Sequence, residues 1–160
     1  MLKYNNYDIT TSEIPEEISL YITITNCPIR CADCNSKHLW EDNGNPLEWS
    51  NLNTLIHINQ GISCVCFGGG DNSPKEINNL AWHIKNSTKL KVGWYSGQDT
   101  ISKDIDIANF DFIKVGHFNG IPINKEGTNQ IFWKIQHFGK NFELIDQTKL
   151  FQVNDRNNKS

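Results

Sequence analysis

The chain has 160 residues, a formal net charge of −3 and a pI near 5.9, the size of one ordinary domain with no need for a second. Lysines and arginines are scattered, which excludes the basic patch of a nucleic-acid binder, and no apolar run reaches the roughly 18 residues of a membrane span. An odd count of five cysteines, with no basic-then-apolar leader at the N-terminus, predicts a cytoplasmic protein with reduced thiols.

In chain order, Tyr4, Tyr7 and Ile9 suggest a short edge strand. Ser19 to Thr25 alternates Leu20, Ile22 and Ile24 against Tyr21, Thr23 and Thr25, the two-residue period of a strand. A cysteine-rich loop follows, then a turn at Asn43-Gly44-Asn45-Pro46. Leu52, Leu55 and Ile56 predict a helix from about Ser50 to Gln60, with Gly61 closing it. Ile62 to Phe67 is a short apolar run, best placed in a buried parallel strand that Gly68-Gly69-Gly70-Asp71 ends. Ser73-Pro74-Lys75-Glu76 carries the pattern of a capping box, and Ile77, Leu80, Ala81 and Ile84 continue it as a helix.

Leu90 to Tyr95 and Asp111 to Gly116 read as two further strands, joined by a short or irregular helix within Thr100 to Asn109. Ile131 to Ile135 and Glu143 to Ile145 predict a hairpin through Gly139-Lys140-Asn141. Strands alternating with helices imply an α/β fold with a mostly parallel sheet; too few units to close an eight-stranded barrel leave an open partial (β/α) barrel, with functional loops at the C-terminal ends of its strands. Residues 1–153 are expected to form this single domain. The wholly polar residues Asn154 to Ser160 are expected to form a disordered tail.

The chemistry concentrates in Cys27-Pro28-Ile29-Arg30-Cys31-Ala32-Asp33-Cys34. Three thiolates so close together converge on one centre when the backbone wraps around it. A structural zinc site takes four protein ligands, so this run would need His38 or His57 to complete one; a four-iron cluster held by three cysteines instead leaves one iron open to a small molecule. The glycines at 68–70 permit close backbone approach to a ligand, although glycines also simply terminate strands.

The C-x3-C-x2-C spacing followed by Gly69-Gly70-Asp71 resembles the radical S-adenosylmethionine superfamily. Leu39-Trp40-Glu41-Asp42, Trp94-Tyr95-Ser96-Gly97, Phe112 to Gly116 and Thr128-Asn129-Gln130 narrow the likeness, over roughly Ser19 to Trp133, to the small activating enzymes of anaerobic (class III) ribonucleotide reductase. The resemblance implies a radical S-adenosylmethionine type of partial barrel in which Cys27, Cys31 and Cys34 hold a [4Fe-4S] cluster. Gly69, Gly70 and Asp71 would receive the methionine amino group of S-adenosyl-L-methionine, backbone at Asp33 and Asn35 would lie beside its adenine, and Ser96 would be a further contact. Asp33 departs from the aromatic residue common at its position. The activity implied is reductive cleavage of S-adenosylmethionine to place a glycyl radical on the large subunit of the anaerobic ribonucleoside-triphosphate reductase, with a one-electron donor such as a flavodoxin.

Alternatives are an activase of another glycyl-radical enzyme, a small-molecule radical enzyme of the deazaguanine-forming kind, and a non-catalytic zinc-stabilised module. Cys64 and Cys66 fall on one side of a strand and read as small buried hydrophobes. The five histidines show no metal or triad spacing and receive no catalytic role. The tryptophans read as core or interface residues, and Lys114 faces either a cavity or solvent.

Overall fold

A computed structural model describes residues 2–25 and 44–152. They form an α/β fold around one open, eight-stranded mixed sheet. The strands are β1 (Lys3–Thr10), β2 (Ser19–Ile24), β3 (Asn45–Pro46), β4 (Cys64–Gly68), β5 (Lys91–Tyr95), β6 (Phe112–Val115), β7 (Ile131–Phe138) and β8 (Asn141–Asp146), in the spatial order β3-β1-β2-β4-β5-β6-β7-β8. The middle strands β2, β4, β5 and β6 are parallel, and both flanks are antiparallel. Each parallel crossover moves one strand along in the same direction, so all of the C-terminal strand ends, and the loops leaving them, share one rim.

Helix α1 (Trp49–Ile58) buries Leu52 and Leu55, and α2 (Pro74–Ser87) buries Ile77, Leu80, Ala81 and Ile84. Both pack on the sheet face that carries Leu20, Ile22, Val65, Phe67, Val92, Trp94 and Ile113, which forms the main core. The opposite face is built in rows fixed by the register. Tyr21, Cys66, Gly93 and Phe112 align across four strands, and nearer the C-terminal rim Thr23, Gly68, Tyr95 and Lys114 do the same. A strap of residues 11–18 joining β1 to β2 lies over this second face: Ile14 is fully buried, and a Cβ at Gly93 would come within 2.7 Å of its Cδ1.

Three local expectations change. The N-terminal strand is longer than its sequence suggests and pairs along β2, with only Lys3 and Tyr4 bonded to β3 on the other side; a register shift between Tyr4 and Asn6 breaks the alternation that would have revealed it. Ser73 is the N-cap of α2, but its side chain makes no capping bond. Its carbonyl instead accepts from the Glu76 and Ile77 N–H groups, at 3.1 and 3.3 Å. The sheet is parallel only in its middle, because the hairpin β7–β8 and strand β1 add antiparallel flanks. Between β5 and β6 the regular structure is a single 3-10 turn, Ile107–Asn109. No helix among the described residues is long and apolar enough to cross a membrane.

Candidate functional site

The glycine turn leaves the end of β4 in a conformation that L side chains rarely adopt: φ is +105° at Gly69 and +94° at Gly70. Packing closes both positions as well. A Cβ would stand 3.1 Å from the Ile24 carbonyl oxygen at Gly69 and 2.6 Å from Ile77 Cδ1 at Gly70, so the turn sits directly against the end of β2 and the first turn of α2. Trp94 Nε1 donates to the Gly69 carbonyl at 2.6 Å, and the Gly69 N–H donates to the Tyr95 carbonyl at 3.0 Å. These bonds fix the height of the turn over the rim.

Asp71 ties this turn to the loop after β5. Its Oδ1 accepts from the Ser96 hydroxyl at 2.5 Å and its Oδ2 from the Gly97 N–H at 2.9 Å; Ser96 Oγ in turn accepts from the Gln98 N–H at 3.1 Å. Burial raises the Asp71 carboxyl above the ordinary aspartate range, although the Ser96 and Gly97 hydrogen bonds pull it back. Asp71 therefore acts first as a clasp between two rim loops. Beside it lies an open groove of about 400 Å³, lined by Asp71, Pro74, Gln98, Thr100, Ile101 and Lys103.

Gly69, Gly70, Asp71 and Ser96 thus come together at the C-terminal ends of β4 and β5, as the sequence suggested. Cys27, Cys31, Cys34, Asp33 and Asn35 lie outside the described residues, as do His38, Leu39, Trp40 and the tail at 154–160. Before them, β2 ends at Ile24, and Thr25 is held by its N–H to the Lys3 carbonyl at 2.9 Å, on the same rim as the glycine turn. Among the described residues, no group of three histidine, cysteine, aspartate or glutamate side chains is placed to hold a metal ion.

Cys64 and Cys66 are fully buried on the second face. Burial pushes the Cys64 thiol up to about 12 and the Cys66 thiol well above its usual value, so both remain unreactive thiols. Trp94 is buried, whereas Trp82 is half exposed.

Three features escaped sequence reasoning. Lys114 is partly buried on the second face, with Nζ 3.9 Å from the centroid of the Tyr95 ring. Tyr21 reaches forward along that face, its hydroxyl occupying the space that a Cβ at Gly68 would need. On the exposed rim, His117 Nδ1–H donates to Asp99 Oδ1 at 2.9 Å, and Asn129 Nδ2 donates to the same oxygen at 3.0 Å. A Cβ at Gly116 would strike the Asn129 backbone, so glycine there lets the two ends of the connection between β6 and β7 meet beside Asp99. Residues 12 to 30 apart in sequence make these contacts, and only the glycines hinted at close approach.

No family model matches the chain, and no curated protein or solved structure matches it either.

Proposed function

We propose that the chain is a radical S-adenosylmethionine enzyme of the glycyl-radical activating kind, acting in the cytoplasm on the large subunit of an anaerobic ribonucleoside-triphosphate reductase. The observation that carries this reading is the meeting, on one rim, of the Gly69-Gly70-Asp71 turn, the Ser96 loop and the strand end from which Cys27 to Cys34 departs. The open sheet is compatible with a partial barrel, whose side opening would admit a glycine loop of the larger partner.

The donor set fits the groups implied. Cys27, Cys31 and Cys34 would hold the [4Fe-4S] cluster, three soft ligands leaving one iron open. Gly69 and Gly70 would present backbone groups, unshielded by a Cβ, to the methionine amino group of S-adenosylmethionine. Backbone at Asp33 and Asn35 would lie beside its adenine. Asp71 and Ser96 hydrogen-bond each other, which holds the turn at its height, and each Asp71 oxygen keeps an acceptor site with which it would meet the methionine amino group, with Ser96 as a further contact. Bound together, cluster and cofactor would supply one-electron cleavage of the sulfonium and removal of a hydrogen atom from a glycine, with the electron coming from a flavodoxin-like donor. The chain would orient these groups, and the buried second face of Ile14, Cys66, Phe112 and Phe132 would keep water from beneath them.

The test is anoxic reconstitution with iron and sulfide, followed by S-adenosylmethionine and a reductant. About four irons per chain and 5′-deoxyadenosine formed by the wild type but not by Cys31→Ala support the reading. Zinc without iron, or no 5′-deoxyadenosine from an iron-loaded protein, overturns it. A glycyl radical signal on the reductase, against none on other partners, identifies the substrate.

A further inference from the structure

We infer that a groove at the N-terminal end of the parallel strands is an anion site that takes a phosphate group between Lys91 and Lys134. A cavity of about 220 Å³ opens there, at the end of the sheet away from the glycine turn, and Lys91, Asp111, Phe112, Lys134, Gln136 and His137 line it. The register explains why these side chains share one groove. Phe112 pairs with Gly93 of β5 on one side and with Lys134 of β7 on the other, so the β5 side of the nearly buried ring carries no side chain and the β7 side carries a lysine. Lys91 precedes Gly93 by two residues, and Gln136 follows Lys134 by two, which puts both on the second face as well. Lys134 and Gln136 are partly buried, and among the described residues neither side chain has a hydrogen-bond or ion-pair partner. Lys91 gives one bond to Glu17 at 3.1 Å and has two further hydrogens to place. Glu143, opposite Gln136 on β8, does not line the groove.

The surroundings select the anion. The volume is below the roughly 300 Å³ at which pockets for drug-sized ligands begin, which limits the occupant to a small ion or the end group of a longer molecule. Two ammonium groups and an amide on separate strands suit a tetrahedral oxyanion, with oxygens on several sides, better than a planar carboxylate. Asp111 decides between tetrahedral oxyanions. Its Oδ2 accepts from the Lys85 ammonium and from the Val92 N–H at 2.9 Å, whereas its Oδ1 has the His137 ring at 3.5 Å, and His137 Nε2–H donates to the Phe110 carbonyl at 2.9 Å instead. That carboxylate therefore keeps acceptor capacity, which an anion bearing its own hydroxyl can use. Hydrogen phosphate brings such a hydroxyl; sulfate has none and meets Asp111 as a like charge.

The experiment needs neither iron nor S-adenosylmethionine, so its outcome is separate from that of the radical reading. Inorganic phosphate is titrated into the full chain while the backbone amide signals of Lys91, Lys134 and Gln136 are followed by NMR. Sulfate at equal ionic strength and glycerol phosphate are the further probes, and Lys134→Met and Lys134→Arg are the variants. The expected result is a saturable phosphate shift in the wild type, sulfate at least about threefold weaker, a phosphate affinity at least about tenfold weaker in Lys134→Met, and one within about threefold in Lys134→Arg. Glycerol phosphate binding more tightly than inorganic phosphate supports the site with a phosphate ester as its source, and weaker binding supports the free ion. The proposal is overturned by no saturable phosphate shift in the wild type, by sulfate binding as tightly as phosphate, or by a folded Lys134→Met that titrates like the wild type.

Discussion

Asp71 shows how a single side chain can tie two rim loops together. Both of its oxygens are occupied within the protein, and burial outweighs these hydrogen bonds in setting its acidity. The sign of the pH effect follows. A carboxyl whose folded value is raised above the unfolded value of about 3.9 binds more protons when folded across the interval between them. Stability then falls as pH rises through that interval and levels off above the folded value. Asp71→Asn removes the titration, so the wild-type minus variant difference in urea midpoint should decline from about pH 4 upward and then flatten. A difference that stays constant over the range would mean that Asp71 titrates normally. None of this could be read from the sequence, where Asp71 and Ser96 stand 25 positions apart with no spacing to link them.

At the level of elements, legibility followed local period. The face of α2 was visible because Ile77, Leu80, Ala81 and Ile84 recur at helical intervals and are indeed its buried residues. Strands β2, β4, β5 and β6 announced themselves as alternating or continuous apolar runs between turn residues. The alternation also separated Lys114 from Ile113 and Val115, but parity alone could not say which sheet face the helices would leave uncovered. The strap was invisible for a different reason: Ile14 is a lone apolar residue beside Pro15, Glu16 and Glu17, without any period, and its burial depends on Gly93 far downstream. Ile14→Ala should therefore cost about 2–5 kcal/mol, the range for truncating a filled aliphatic position. Denaturant unfolding measures it. A loss below about 1 kcal/mol would show that the strap can shift to close the cavity.

Across the whole molecule, the two ends of the parallel strands carry different burdens. The C-terminal rim holds the glycine turn, the Asp71 clasp and the end of β2. At the N-terminal end Asp111 gathers the Lys85 ammonium of α2 and the Val92 N–H of β5 (2.9 Å), with His137 Nε2 of β7 at 3.5 Å, while Lys91 pairs with Glu17 of the strap at 3.1 Å. A carboxylate that joins a helix and two strands at 14 % exposure is hard to replace, because its removal leaves a partly buried ammonium and a backbone N–H without their acceptor. Asp111→Ala should accordingly lower stability by about 3 kcal/mol. Along β6, Lys114 lies three residues further on, about 10 Å away, in the same row as Tyr95 and beside the rim. Denaturant unfolding measures the loss, and Lys114→Met, which removes no partner from Lys85 or from the Val92 N–H, should cost less than Asp111→Ala. If Lys114→Met cost as much as Asp111→Ala, the rim end of β6 would carry as much of the stability as its N-terminal end, and the contrast drawn between the two ends of the strand would be wrong.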